Sequence, residues 1–394
     1  MKRMVLCILS LLLLSGCWDR LPLRDLQMID AVAFDRNEET KDIAVDLIVT
    51  SLKRAGMGEG EPIAEQTELE GKSVIEAVGK SEYMDQGPFS AVNTRVFLMS
   101  ERFASDRPVK ELEFLLHAPY TSINTPVVIF KGEINDLIKY KVSNRKAPIE
   151  KLNTFIRSLD ANGLIQNVSM MEFLTSQRDS LDDYPMPVVN YADTKFELES
   201  AMLYHAGLYT GGRLTREQLR MLMFMIGVDQ GKQRITGRLS ESSGVQNLTY
   251  GFSVKSVHNR YHAQQDSGRL PKMTIDVRLN ISVFDIGENI ETLKPTYSHK
   301  MQQLLITQFN REANVTIQAL QKANCDALGI GKHLRAYHPK LWKSLDWRND
   351  YPNMKIEPRF NIHILNTDGF EEISMKEEQA DNYAAPLFSA RNIG

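Results

Sequence analysis

The spacing of apolar positions divides the chain into short strands and helices. An apolar run over 28–35 reads as a strand, Asn37-Glu38-Glu39 turns it back, and Ile43, Val45, Leu47 and Val49 recur at period two, so 28–51 predicts a β-hairpin. Gly56-Met57-Gly58-Glu59-Gly60 follows as a flexible loop without the Gly-Lys-Ser/Thr ending of a phosphate loop. Ser73 with Glu76 three residues on is a capping box that opens a helix through Ala77 and Val78. Strands are predicted over 94–100 and 126–130, and helices over 109–117, 134–142 and 149–159. The stretch Asp182-Asp183-Tyr184-Pro185-Met186-Pro187 then breaks the pattern, which places the main boundary close to Glu199.

A new series starts there. A strand over 203–209 and a turn at Thr210-Gly211-Gly212 predict a second hairpin. Thr215 with Gln218 caps a helix whose stripe is Leu219, Leu222, Met223 and Ile226, ended by Gly227. Two strands follow, one over 248–254 and one carrying Ile275, Val277, Leu279, Ile281 and Val283 with Asp276, Arg278, Asn280 and Ser282 on the opposite side. One face is buried and one is wet, as in an antiparallel sheet. A helix over 298–328 has Met301, Leu304, Leu305, Phe309, Ala313, Ile317 and Leu320 on one side and stops at Gly329-Ile330-Gly331. Phe360, Ile362 and Ile364 form a last strand, with Pro358 near its start confining it to an edge or a strand beginning. The fold class is α+β, with mixed or antiparallel sheets covered by helices and the C-terminal sheet packed on one long helix.

The first residues stand apart. Lys2 and Arg3 precede a ten-residue apolar run, shorter than the roughly 20 residues a membrane-spanning helix needs. Leu14-Ser15-Gly16-Cys17 resembles the lipobox of bacterial lipoproteins. That resemblance implies a signal peptide over 1–16, cleaved before Cys17, and a diacylglycerol thioether on Cys17 that holds the mature chain at a membrane surface. The expected organisation is a leader over 1–16, an N-terminal α+β region over 17–198 with room for two subdomains, a C-terminal α+β domain over 199–370, and a flexible acidic tail over 371–394.

Composition adds little drive toward particular ligands. Hydrophobic residues make up 42% and charged residues 25%, ordinary globular values. The net charge of −3 becomes −5 once Lys2 and Arg3 leave, which gives no general attraction to nucleic acid. Cys7 departs with the leader and Cys17 is alkylated, so Cys325 is a lone thiol within the predicted long helix and reads as a buried small hydrophobe.

Candidate chemistry is sparse. His258 and His262, four apart with Asp266 beyond, would share a helix face and could ligate a metal, but they fall in a polar connection without the glutamate of a zinc protease. His333 and His338 read as structural. Asp182 and Asp183 stand beside prolines in a loop, and neither a Gly-x-Ser-x-Gly elbow nor a Ser-x-x-Lys set is present. Lys340, Trp342, Lys343, Trp347 and Arg348 could touch a membrane or glycan, though indoles more often pack a core edge under basic stems. The expectation is no catalytic residue, no cofactor and no metal.

Three blocks carry a family resemblance. They are Gly16-Cys17-Trp18-Asp19-Arg20; Leu203 to Tyr209 through Leu214-Thr215-Arg216-Glu217-Gln218; and Asn324-Cys325-Asp326-Ala327-Leu328-Gly329-Ile330-Gly331 with Pro339, Trp342 and Trp347. In their order and spacing they resemble the Ger(x)C family, the C-subunit lipoproteins of spore germinant receptors. The region 219–226 is richer in methionine than that pattern, and Cys325 stands where a polar residue is usual. Membership implies a non-enzymatic subunit, required for triggering spore germination, on the outer face of the inner spore membrane. Its partners would be two integral membrane proteins, the A and B subunits, and membrane lipid through acylated Cys17. A solute-binding lipoprotein that serves a membrane transporter is the alternative.

Overall fold

A computed structural model describes residues 27–53, 61–84, 89–118, 121–134, 137, 148–193, 195–228, 233–239, 248–265, 270–285 and 295–365. The leader, Cys17, the 56–60 loop, most of the 134–142 helix, Asp266 and the acidic tail lie outside the described residues.

The larger sheet grows from β1 (Gln27–Arg36). This strand pairs antiparallel with β2 (Ile43–Lys53), which pairs antiparallel with β3 (Glu61–Gly71), so the predicted first hairpin forms and gains a third strand. On its other side β1 runs parallel to β5 (Val96–Ser100), then β6 (Val127–Lys131) and β7 (Asp183–Ala192), while the short β4 (Phe89–Ser90) pairs with its start. Antiparallel β8 (Lys195–His205) and β9 (Leu208–Thr215) complete the order β3-β2-β1-β5-β6-β7-β8-β9.

The parallel strands β5 and β6 are apolar runs, buried throughout except at Lys131, because helices cover both faces of the sheet. Phe97 and Met99 face one core with Phe103 of α2 (Glu101–Ser105), Leu112 of α3 (Pro108–Leu112) and Phe173 of α5 (Met170–Thr175). Val96 and Leu98 face the other, with Ile149, Leu152 and Ile156 of α4 (Pro148–Ala161). The helix capped by Ser73 is α1 (Val74–Gly79), with the Glu76 N–H donated to Ser73 Oγ at 3.2 Å.

The second sheet has the order β10 (Arg234–Leu239), β11 (Leu248–Gln264), β12 (Lys272–Asp285), β13 (Ile356–Ile364). β13 runs parallel to β12 at the sheet edge. The long helix α7 (Pro295–Lys322) lies on this sheet through Phe309, whose ring meets Phe252 at 6.3 Å and Phe360 at 5.7 Å. Between the two sheets lies α6 (Arg216–Ile226), closed by the Thr215–Gln218 capping box and by Gly227 at φ +72°. Met221, Leu222, Met223, Phe224 and Met225 are each at most 1% exposed, so this helix is apolar nearly all round. Its methionines follow from that position, since flexible thioethers fill the uneven space between two sheets and α7.

Three expectations need correction. The proline stretch at 182–187 does not break the sheet, because β7 begins at Asp183 and runs through Pro185 and Pro187; its ladder with β6 starts only at Val188, past both prolines. The turn of the next hairpin is Ala206–Gly207, at φ +46° and +77°, and not 210–212. Residues 210–212 instead bulge opposite Leu203, with Gly211 at φ +81°, and an added Cβ on Gly212 would meet Ala323 Cβ at 2.5 Å. The long helix stops at Lys322, and Asn324 adopts φ +48°, so Cys325 sits in the segment after the helix.

Candidate functional site

Asp183 opens β7 with its side chain fully buried, and three separate parts of the chain converge on it. Asp183 Oδ2 accepts the backbone N–H of Asp326 at 2.5 Å. Oδ1 lies 2.7 Å from His205 Nδ1, at the end of β8, and 3.1 Å from Arg348 Nη2. Arg348 belongs to the short helix Trp347–Asp350 and also donates to the carbonyls of Ser180 at 2.5 Å and Asn324 at 2.9 Å. His205 Nδ1 touches the Arg348 guanidinium as well as the carboxylate. One ring nitrogen can donate to Asp183 or accept from Arg348, and the tautomer decides which.

A second buried carboxylate completes the junction. Asp326 accepts the N–H groups of Ile330 at 3.0 Å and Gly331 at 2.7 Å, the first two residues of α8 (Ile330–Tyr337). It therefore satisfies donors that a helix start leaves free. Burial raises its carboxyl to about 7 against the pull of those N–H groups. Cys325 is fully buried, its Sγ 3.5 Å from the Tyr204 carbonyl, and burial raises its thiol well above the usual range. Tyr351 donates to the Cys325 carbonyl at 3.1 Å, and Tyr261 of β11 donates to Leu328 at 2.8 Å. Each sheet is thus tied to the segment that follows α7.

The glycines and tryptophans of that segment have packing roles. Gly329 holds φ +72° ahead of α8, and a Cβ on Gly331 would stand 2.7 Å from Trp347 Cε2. Trp347 is 6% exposed, with its ring 5.6 Å from Trp342 and 5.3 Å from Tyr351, so the indoles pack a core edge. Lys340 and Lys343 remain exposed.

The other candidates disperse. His258 and His262 lie on β11, which continues to Gln264, and not in a connection. A four-residue spacing on a strand separates them by about 13 Å, too far to share an ion. His262 Nε2 is 3.0 Å from Asp276 instead. His333 of α8 stacks near Tyr261 and His338, and burial, then the neighbouring His338 and His262, lower its pKa. Asp182 points away from Asp183 to Lys332 at 2.6 Å. Among the described residues no cluster of three or more His, Cys, Asp or Glu is placed to hold a metal, and no helix is long and apolar enough to cross a membrane. Sequence reading missed Asp183 and Arg348 as partners, since 165 positions separate them, and Asp326 stood out only as a member of the 324–331 block, with no role attached to it.

Two mixed sheets joined through a buried ion-pair junction define an α+β protein whose distinctive polar residues join elements to one another. Comparison with known proteins supplies the family. Residues 19–191 match the family described as spore germination protein N-terminal domain, and 201–368 match Spore germination B3/GerAC like, C-terminal. The chain belongs to this GerAC-like family of spore germination proteins. It is 20% identical to spore germination protein KC of Bacillus subtilis (strain 168), over 96% of this chain and 98% of that one. It is 20% identical to spore germination protein GerQC of Bacillus cereus, over 92% and 98%, and 21% identical to spore germination protein B3 of B. subtilis (strain 168), over 90% and 95%. The fold resembles the crystal structure of the GerBC protein, with TM-score 0.57 and 13% identity over 85% of this chain and 97% of that one.

Proposed function

We propose that the chain is a lipid-anchored, non-enzymatic subunit of a nutrient germinant receptor. It is held on the outer face of the inner spore membrane by acylated Cys17 and acts with integral membrane A and B subunits to trigger germination. The observation that carries this reading is the match of both family domains, in order, from residue 19 to residue 368. The first matched residue lies two positions after Cys17, which accords with a mature chain that begins there. The non-enzymatic role is supported by the engagement of Asp183, His205, Arg348 and Asp326 with one another and with backbone groups. A division at 17–198 and 199–370 belongs to the same reading. It is supported by the family domains meeting between 191 and 201, although β8 and β9 continue the N-terminal sheet across that point.

The test is purification of the tagged full chain from spore membranes, with its partners identified by mass. Multi-span A and B subunits are expected; recovery with an ATP-binding transporter would favour the solute-binding alternative. Cys17→Ala should release the protein from the membrane and impair nutrient-triggered germination, and normal retention and germination in that variant would overturn the proposal.

A further inference from the structure

One end of the larger sheet holds the start of β1, the first described strand after Cys17 in the sequence. Ala31 lies opposite Val96, Phe97 opposite Val127, and Ile129 opposite Val188, so the starts of β1, β5, β6 and β7 share that end. His205 and Leu208 lie there too, paired with each other beside Asp183. Cys17 precedes Gln27 by ten residues. At no more than about 3.5 Å per residue, the start of β1 stays within about 35 Å of the acylated cysteine.

The loops at this end are fastened together and expose large apolar side chains. The turn at 91–94 is joined to β1, where Thr94 Oγ1 donates to the Ile29 carbonyl at 3.4 Å. It is joined to the next loop by the Ser122 N–H, donated to Ala91 at 3.4 Å, and by Thr125 Oγ1, donated to Thr94 at 2.9 Å. Met171 donates its N–H to Ile123 at 2.8 Å. Val92 and Met171 are thereby neighbours in one fastened group, 54% and 43% exposed, and Leu208 beyond the Ala206–Gly207 turn is 51% exposed. Hydrogen bonds hold the backbone that presents Val92 and Met171 at this end of the sheet. Half-exposed apolar side chains at one end, within reach of a cysteine that carries acyl chains, suit contact with lipid.

We propose that this end, through Val92, Met171 and Leu208, rests in the interfacial layer of the lipid bilayer that holds the acyl chains of Cys17. The proposal rests on the anchor described under Proposed function. The acyl chains confine the protein to the membrane, and the patch orients it, with the far ends of β1 and β5 directed away from the lipid. Side chains of this size reach the boundary between headgroups and acyl chains without a spanning segment.

The test uses the full lipidated chain, carrying an environment-sensitive fluorophore on Val92→Cys, Met171→Cys or, as control, Val315→Cys. Val315 is 49% exposed on α7, and the native Cys325 is fully buried. The chain is reconstituted in phosphatidylethanolamine–phosphatidylglycerol vesicles with brominated acyl chains, and flotation is measured on the same samples. The expected result is loss of fluorescence at positions 92 and 171 with none at 315. A chain that floats with the vesicles but shows equal emission at all three positions overturns the orientation and leaves the anchor standing. A chain that fails to float overturns the anchor, and the orientation with it.

Discussion

Arg348 reaches Asp183 across 165 positions, with Nη2 3.1 Å from a carboxylate that is itself shut away from solvent. Through this contact the segment after α7 closes on the start of β7. The same carboxylate receives the Asp326 N–H and lies against His205, so its loss would strand several buried groups at once.

Asp183→Ala should therefore destabilise the chain by about 2–3 kcal/mol, because it takes the carboxylate from a guanidinium left with only the Ser180 and Asn324 carbonyls and leaves the buried Asp326 N–H unmet. Arg348→Met should also be costly, and the double substitution should cost less than the two singles added together. Denaturant unfolding of all four proteins measures the coupling. Additive losses would show that the two residues act independently.

Asp326 should make stability depend on pH in a defined window. Burial lifts its carboxyl from 3.8 to about 7, so the folded chain binds that proton more tightly than the unfolded chain does. The stabilisation is complete below the unfolded value and is lost as pH rises through about 7. Asp326→Asn removes this titration. The stability of the variant relative to the native chain should rise between about pH 4 and about pH 7 and level off above that. Unfolding free energies at a series of pH values test it, and a constant difference across the window would count against the assignment.

The two glycines ahead of Trp347 should respond differently to substitution. Gly331→Ala forces a Cβ to 2.7 Å from the indole and 3.0 Å from Leu181 Cδ2, against a ring that is 6% exposed and packed on Trp342 and Tyr351. A loss of about 1–3 kcal/mol is expected, with a change in tryptophan emission. Gly329 has no neighbour within 4 Å of an added Cβ, but its φ of +72° is left-handed. Gly329→Asn should be better tolerated than Gly329→Ala, because asparagine visits that conformation more readily. Thermal unfolding with fluorescence detection compares all three.

Cys325 should be inert in the folded chain. Burial leads the upward shift of its thiol, and the Asp183 and Asp326 charges add to it. A disulfide reagent at neutral pH is expected to leave Cys325 unmodified until denaturant is added. Modification of the native chain at the rate of a free thiol would show that the junction opens readily.

Local pattern determined much of this architecture. The N-cap at Ser73, the capping box at Thr215 and the period-two run of β12 are encoded within a few residues of one another and formed where the pattern indicated, although the Glu76 carboxylate accepts from the Lys72 N–H and so leaves the Ser73 box half made. Gly227 closes α6 by the same short-range logic. The blocks at 203–218 and 324–347 were recognisable as a family pattern, but their purpose was not, because their residues meet partners far along the chain. Asp182-Asp183 beside prolines looked like a loop, since nothing nearby announces that Asp326 and Arg348 arrive to neutralise and hydrogen-bond the second carboxylate. The continuation of β11 through His258 and His262 was hidden in the same way. Tyr261 and Asn259 are drawn inward by acceptors on Leu328 and Met225, 67 and 34 positions away.

What the sequence determined by itself was the alternation of elements, their caps and the resemblance of the three blocks. Only the tertiary structure decided that two sheets share α6 between them and that Asp183, His205, Asp326 and Arg348 form one junction. The physical reason is range. Helix caps and strand periodicity arise from interactions within a turn or two, whereas a buried charge is tolerable only where distant segments bring it partners, and sequence spacing carries no record of that meeting.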